Sequence, residues 1–286
     1  MSALPPLTTK ADRTREHRRR ARRSITISAI STLVVIGGLV SYVLTSPGWP
    51  DVRKEFFSSS EFSASFGSVL SGFWLDVRMF LVVEVAVLFL GLLIALIRTV
   101  NAPILFPLRL LAIVYVDIMR GIPTILLVYI IGFAVPGLDL KGVPTSPIVL
   151  SGIALAMCYS AYVSEVFRAG LESIHPSQAG AALALGLSPV QALRFVIVPQ
   201  AVRRVVPPLL NDFIALQKDV ALVSIVGPQE AFRVAQIFAA SQFNYTPLLA
   251  AAALYLCVTI PMTRIVDRLQ ARSRRERGAV LALGPR

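Results

Sequence analysis

Six apolar blocks alternate with polar stretches along the chain, most of them near the roughly 20 residues a helix needs to cross hydrocarbon. The first runs from Ile25 to Leu44 and the second from Met79 to Ile97, closed by Arg98. A partly polar helix then leads into Arg120-Gly121-Ile122-Pro123, which opens a third span ending near Pro136-Gly137. The fourth covers roughly Ile148 to Val163. The fifth, Val205 to Val226, is interrupted by Gln217-Lys218-Asp219, and the last runs from Leu248 to Val266. Residues 47–69 read as an external loop with an amphipathic piece, 138–147 as a Pro-rich external turn, and 227–247 as a polar external stretch. The pattern predicts an all-α membrane protein of about six spans.

Basic residues punctuate these blocks and orient them. Residues 1–24 are a polar tail in which Arg13, Arg15, Arg18, Arg19, Arg20, Arg22 and Arg23 crowd together. An even number of spans returns the C-terminal tail, 271–286, to the same side. Its arginines then lie with Arg98, Arg109, Arg168, Arg194, Arg203 and Arg204, while only a few basic residues such as Arg53, Lys54, Lys141 and Arg233 fall opposite. Excess Lys and Arg marks the cytoplasmic face, so both termini are expected there. Composition agrees: 55% of residues are hydrophobic and 15% charged, against roughly 45–50% and about 25% in soluble domains. A net charge of +12 in a soluble protein would suggest nucleic acid, but here the charge sits at span ends. The first block follows a basic start as a signal peptide would. It is longer than a signal core, and Ser46-Pro47-Gly48-Trp49-Pro50 is no small-residue cleavage site, so 25–46 reads as a retained additional helix.

Enzymatic signatures are missing. The sequence has no GxxxxGK[ST] phosphate cradle, no HExxH and no Cys/His cluster, and Cys158 and Cys257 each stand alone in apolar surroundings. His17 and His175 lie in polar segments without a Ser or Cys partner in a motif. Asp76 and Glu84 form the one nearby carboxylate pair, but eight residues of helix separate them by about 12 Å, too far for a dyad on one helix. No catalytic residue and no metal site are expected, and the chain reads as a non-enzyme.

The most informative stretch is Glu165 to Pro199, where small residues and turn signals stand between spans. Ala179 to Ala184 is almost all Ala and Gly, giving a slim helix, and Gly186 stands where a left-handed cap ends it. Ser188-Pro189, with Gln191 three residues after Ser188, then forms a capping box that starts a second short helix.

These residues and those around Arg120 resemble the permease subunit of ATP-binding cassette (ABC) importers, in the branch that takes up polar amino acids. Arg120-Gly121-Ile122-Pro123 is similar to an Arg-Gly-Thr-Pro signature of that family, departing at Ile122. Ala181, Ala182, Gly186 and Ile197-Val198-Pro199-Gln200 follow its "EAA" loop, with Gly180 in place of the acidic residue. Pro207-Pro208, Asn211, Phe213 to Leu216, Lys218-Asp219 and Leu222 to Ser224 continue the pattern, with Val220-Ala221 where Thr-Ser is usual. The similarity covers most of 70–270, and residues 25–46 add a helix to the five-helix core it implies.

The resemblance implies a coupling loop at about 171–200, in which Ser177, Gln178, Ala179, Gly180, Ala181, Ala182, Ala184, Gly186 and Pro199 seat a short helix on a separate ATPase subunit. Arg120, Gly121 and Pro123 would be structural. No cofactor is expected on this chain, since the partner would hydrolyse ATP. Further implied partners are an extracytoplasmic amino-acid-binding protein, a second permease copy or paralogue, and the bilayer, with no nucleic acid. The cargo expected is glutamate, glutamine or a similar polar amino acid.

Charges inside spans cost at least roughly 2.5–3.5 kcal/mol, so Glu84, Lys218 and Asp219 are candidates for the substrate path. Lys218 and Asp219 admit two readings: they cap a broken helix and pair locally, or they face a zwitterionic cargo. Glu84 could meet a cargo amine or neutralise a base such as Lys218. A permease for another small polar solute is the alternative. A secondary carrier with Glu84 and Asp219 as coupling carboxylates is disfavoured by the lack of an internal repeat.

Overall fold

The computed structural model describes residues 10–100 and 102–282, with side chains over 24–100 and 102–271. The side chains of the arginine-rich tails expected to orient the chain therefore lie outside the described residues, except Ser24 and Ala271 at their inner edges. The chain divides into two compact units, up to Phe57 and from Ser58 onward.

The first unit holds α1 (Lys10–Thr45) and α2 (Trp49–Phe56). Ser24–Thr45 within α1 is apolar enough to cross a membrane by itself. Pro50 near the start of α2 supplies no N–H and needs none there, because first-turn donors have no intrahelical acceptor.

The second unit opens on α3 (Ser59–Thr99), whose first turn is capped by Ser58 Oγ accepting from Glu61 N. The stretch 47–69, expected as a loop, is thus mostly helical. Ser58 to Ser60 serve as a cap rather than a linker, and α3 runs unbroken into the span.

Next come α4 (Phe106–Gly121) and α5 (Thr124–Gly137), which meet at a bend of 103°. Pro123 explains the bend: it lacks an N–H and drives Ile122 to an extended conformation (φ −94°, ψ 131°). Then follow α6 (Pro147–Glu172), α7 (Pro176–Ala184), α8 (Pro189–Ala192) and α9 (Val198–Asp219), the last continued by a 3-10 segment, Val220–Val226. Finally α10 (Ala231–Gln242) and α11 (Thr246–Ala282) close the chain. The polar stretch 227–247 is no simple external loop, because Ala231 and Ala235 of α10 are buried with Val69 and Phe73 of α3 and Ala251 of α11.

All described elements are helical, as the sequence predicts. Four are long and apolar enough to cross a membrane, or five if the bent α4–α5 pair is one span. The remaining block expected to span, Val205 to Val226, falls on α9 and its 3-10 continuation and carries three charges, Asp212, Lys218 and Asp219, which leave it less apolar than the other spans.

The core gathers Phe80, Val83 and Val87 of α3, Leu155, Tyr159 and Val163 of α6, and Leu216, Val220 and Val223 of the α9 region. Phe80 and Phe213 meet edge to face with centroids 4.5 Å apart, pinning α3 to α9. With lipid outside as apolar as the core, close packing through small residues holds such helices together. Gly91 shows how close: a Cβ there would lie 2.6 Å from Val163 Cγ1. We expect Gly91→Leu to cost about 1–3 kcal/mol through overpacking, read as a lower melting temperature in detergent. A variant melting with the wild type would contradict this crossing.

Candidate functional site

The stretch from Glu165 to Pro199 folds as two short helices around an elbow. Gly186 takes φ +86°, a left-handed conformation that glycine adopts without strain, and Leu187 N reaches back to Ala182 O. Both halves of the capping box are present: Gln191 N donates to Ser188 Oγ, and Ser188 N donates to Gln191 Oε1 at 2.8 Å. His175 caps α7, its Nδ1 accepting from Ser177 N. A π-helical turn, Leu193–Ile197, joins α8 to α9.

The elbow is not bare on every side. Ala182 is buried, turned into the loop itself, whereas Gly180, Ala181 and Ala184 are exposed. Ser177, Gln178 and Pro199 are also exposed, with Gln178 accepting from Gln200 Nε2, and Ala179 is half-buried. Apolar tips project at the bend: Leu185 is 84% exposed and Val190 74%. A Cβ on Gly180 would meet nothing within 4 Å, so the missing acidic side chain leaves open space. Arg204 donates to Ser173 O and Arg194 lies over the Phe195 ring, so two of the nearby arginines brace the loop locally.

Immediately before the elbow, Glu165 gathers three arginines. Arg98 at the end of α3 donates to Oε1 at 2.5 Å, and Arg168 holds Oε2 through Nη2 at 2.6 Å. Arg120 stands 3.8 Å from Oε1 and lies over the Tyr162 ring. Arg168 also pairs with Glu172. One carboxylate thus ties α3, the α4 end and α6 at the root of the elbow, and it gives Arg120 a structural role, with Gly121 and Pro123 at the bend.

The intramembrane candidates separate. Asp219, at the junction of α9 and its 3-10 continuation, accepts from Tyr159 of α6 at 2.8 Å. Lys218 is exposed, and no ion pair involves it among the described residues. Glu84 is buried on α3, and no ion pair involves it among the described residues.

At the other end of α3, Asp76 is not a partner of Glu84. Its Oδ2 accepts from Tyr255 of α11 at 2.7 Å and from Ala231 N at 3.4 Å. Glu230 takes the next two free N–H groups of α10, from Phe232 at 2.6 Å and Arg233 at 2.7 Å. Two buried carboxyls therefore cap one helix N-terminus, where its dipole favours negative charge. Burial pushes the Glu230 carboxyl above its usual range, and those backbone donors, Tyr255 and Arg233 pull it back. Sequence reasoning missed Tyr255 and Tyr159 because each gains meaning only from a helix distant in sequence, and it missed Glu230 and Asp212 as well. A Glu three residues before Arg233 in an otherwise apolar setting was the one local cap signal.

Apolar helices long enough to cross a membrane, buried charges among them, and a small-residue elbow at an arginine-rich end are the features of a helical membrane protein. Residues 87–275 match the model of the binding-protein-dependent transport system inner membrane component family, and the chain belongs to it. It is 35% identical over 188 residues to the probable glutamine ABC transporter permease protein GlnP of Bacillus subtilis (strain 168), covering 64% of this chain and 84% of that protein. The glutamine transport system permease protein GlnP of Escherichia coli (strain K12) is 34% identical over 162 residues, 56% of this chain and 74% of that protein. A crystal structure of an amino acid ABC transporter with histidines matches with TM-score 0.66 at 29% identity, covering 76% of this chain and 98% of that one. An inward-facing MetNI methionine ABC transporter matches at TM-score 0.56 and 20% identity over 71% of this chain and 95% of that one, a likeness of fold alone. The chain is thus an all-α, multi-pass ABC transporter permease of the amino acid type.

Replacing Glu165 by Gln leaves the arginine cluster around a neutral amide. We expect a loss of about 1.5–3 kcal/mol, measured by thermal unfolding in detergent, with Glu165→Asp falling between. Unchanged unfolding in Glu165→Gln would contradict the hub.

Proposed function

We propose that this permease imports a polar amino acid such as glutamine or glutamate, driven by ATP hydrolysis on a separate ATPase subunit. An extracytoplasmic binding protein, the partner named in the family description, delivers the cargo. A second permease copy or paralogue completes the pathway.

The observation that carries this reading is the elbow of α7, Gly186 and α8. Leu185 and Val190 stand exposed at its tip beside the slim Gly180–Ala181–Ala184 surface, at the end of the bundle where Arg98, Arg168 and Arg204 collect. A basic-rich end reads as cytoplasmic, which is where an ATPase would sit. The contact would be made by shape, apolar tips and backbone, since Gly180 offers no charge. Because the Glu165 hub and the Arg204–Ser173 bond fix the elbow to α3, α6 and α9, force on it would pass directly into the bundle.

The same arrangement assigns the other side chains. Ala182 sets the elbow's shape from inside, and Ala181 and Ala184 face the partner. Asn211 and Lys218, one face of α9 by their seven-residue spacing, are both exposed. A polar stripe is unfit for lipid, so it would face the pathway and the second permease.

The test is ATP-driven amino acid uptake in proteoliposomes carrying the permease with its ATPase and binding protein. Ala181→Trp, which adds bulk to an exposed position, should abolish uptake while the permease stays folded. Gly180→Ala should retain it and gain up to about 1 kcal/mol of helix stability. Full uptake by Ala181→Trp would overturn the docking assignment.

A further inference from the structure

The first turn of α7 is held by a histidine. Pro176 opens the helix and has no N–H to offer, and Gln178 N donates to His175 O at 2.9 Å. The N–H between them, on Ser177, donates to the His175 side chain, whose Nδ1 accepts it at 3.2 Å. Ser177 Oγ stands 2.7 Å from the same nitrogen. A ring nitrogen that accepts must carry a lone pair, so His175 is here the neutral tautomer with its proton on Nε2. Its own backbone is extended (φ −63°, ψ 136°), as an N-cap requires.

Serine, threonine, aspartate and asparagine are the usual caps, and none of them loses its acceptor near neutral pH. Histidine does, because an imidazole takes up a second proton between about pH 5 and 8. Protonated at Nδ1, the ring has two donors and no acceptor, and it sets a positive charge at the positive end of a helix dipole. The surrounding elements do not offset that charge. Glu172, on the last turn of α6, pairs with Arg168, and α8 carries no charged residue. Arg194 in the π-helical turn lies over Phe195, while Arg203 and Arg204 of α9 add only positive charge, the latter donating to Ser173 O. Among the described residues no ion pair involves His175, which is exposed. A nine-residue helix containing Gly180 has little intrinsic stability, so its first turn depends on the cap.

We propose that His175 is a proton-operated latch on the elbow: neutral, it caps α7 and holds the docking surface in shape; protonated, it releases the first turn and weakens the grip of the ATPase. This rests on the docking reading above and adds its regulation. Ser177 and Gln178, both exposed, form the first turn of the docking helix, and Gln178 accepts from Gln200 of α9. Loss of the cap frees that turn. A fall in cytoplasmic pH would therefore slacken the contact between permease and ATPase and slow import.

The test measures binding of the ATPase subunit to the full-length permease in lipid nanodiscs, at about pH 7.5 and about pH 5.5. The wild type should bind about 2–30-fold more weakly at the lower pH, the change that loss of an N-cap implies. His175→Asn keeps a cap acceptor that takes up no proton, and it should not share that drop. His175→Lys, cationic at both values, should bind weakly at both. Nitrogen NMR of isotope-labelled imidazole reads the latch independently. The chain has two histidines, so His17→Gln leaves His175 as the one signal. In the neutral ring Nδ1 should be bare and Nε2 protonated, with Nδ1 gaining its proton as binding weakens. A neutral ring protonated on Nδ1, or the same pH dependence in the wild type and His175→Asn, would overturn the latch alone. An ATPase that binds the wild type at neither pH would overturn the docking reading, and the latch with it.

Discussion

Hydrocarbon offers a charge no partner, and the placement of Glu165, Asp76, Glu230 and Asp219 in this bundle follows from that constraint. Arg98 and Arg78 stand 20 residues apart on α3, about 30 Å, roughly the thickness of the apolar layer. At one boundary Glu165 is neutralised by arginines from three helices. At the other, Asp76 and Glu230 are held by the free N–H groups of α10 and by Tyr255. Between them Asp219 accepts a hydrogen bond from the Tyr159 hydroxyl. Of the buried carboxyl oxygens, Asp76 Oδ1 and Asp212 Oδ2 keep no hydrogen-bond partner within the described residues.

The same constraint separates anchors from moving parts. Arginine pairs and helix caps fix α3 at both ends, and Gly91 lets α6 lie tightly along it. By contrast, α9 is entered through a π-helical segment and ends in a 3-10 segment closed by left-handed Gly227. Irregular turns at both ends, exposed polar residues along one face and the Arg204 bond to Ser173 set α9 apart from the regular helices of the bundle.

Much of this was legible from residues alone, wherever the signal was local. Gly186, the Ser188–Gln191 box and the Pro123 break each act within one turn, and each has the conformation its chemistry demands. The apolar blocks likewise mark helices, because a span must satisfy its own backbone. What failed did so for a physical reason. Residues 227–247 look polar, yet Glu230 caps α10 locally through Phe232 N and Arg233 N, and only Asp76 and Tyr255, more than 20 residues away, complete its burial. Ala182 matches the resemblance as well as Ala181 does, yet helix phase turns one inward and the other out. Small side chains hide that phase, since alanine gives no hydropathic contrast between faces.

The account depends most on the elbow being the surface an ATPase grips. Leu185, its most exposed apolar side chain, permits a direct measurement. With exposed Cys257 changed to Ser and buried Cys158 left in place, Leu185→Cys supplies one accessible thiol within the described residues. Thiol crosslinking of the co-purified complex should join this position to the ATPase subunit in high yield. Crosslinks found only between permease copies, or none with the ATPase, would contradict the account.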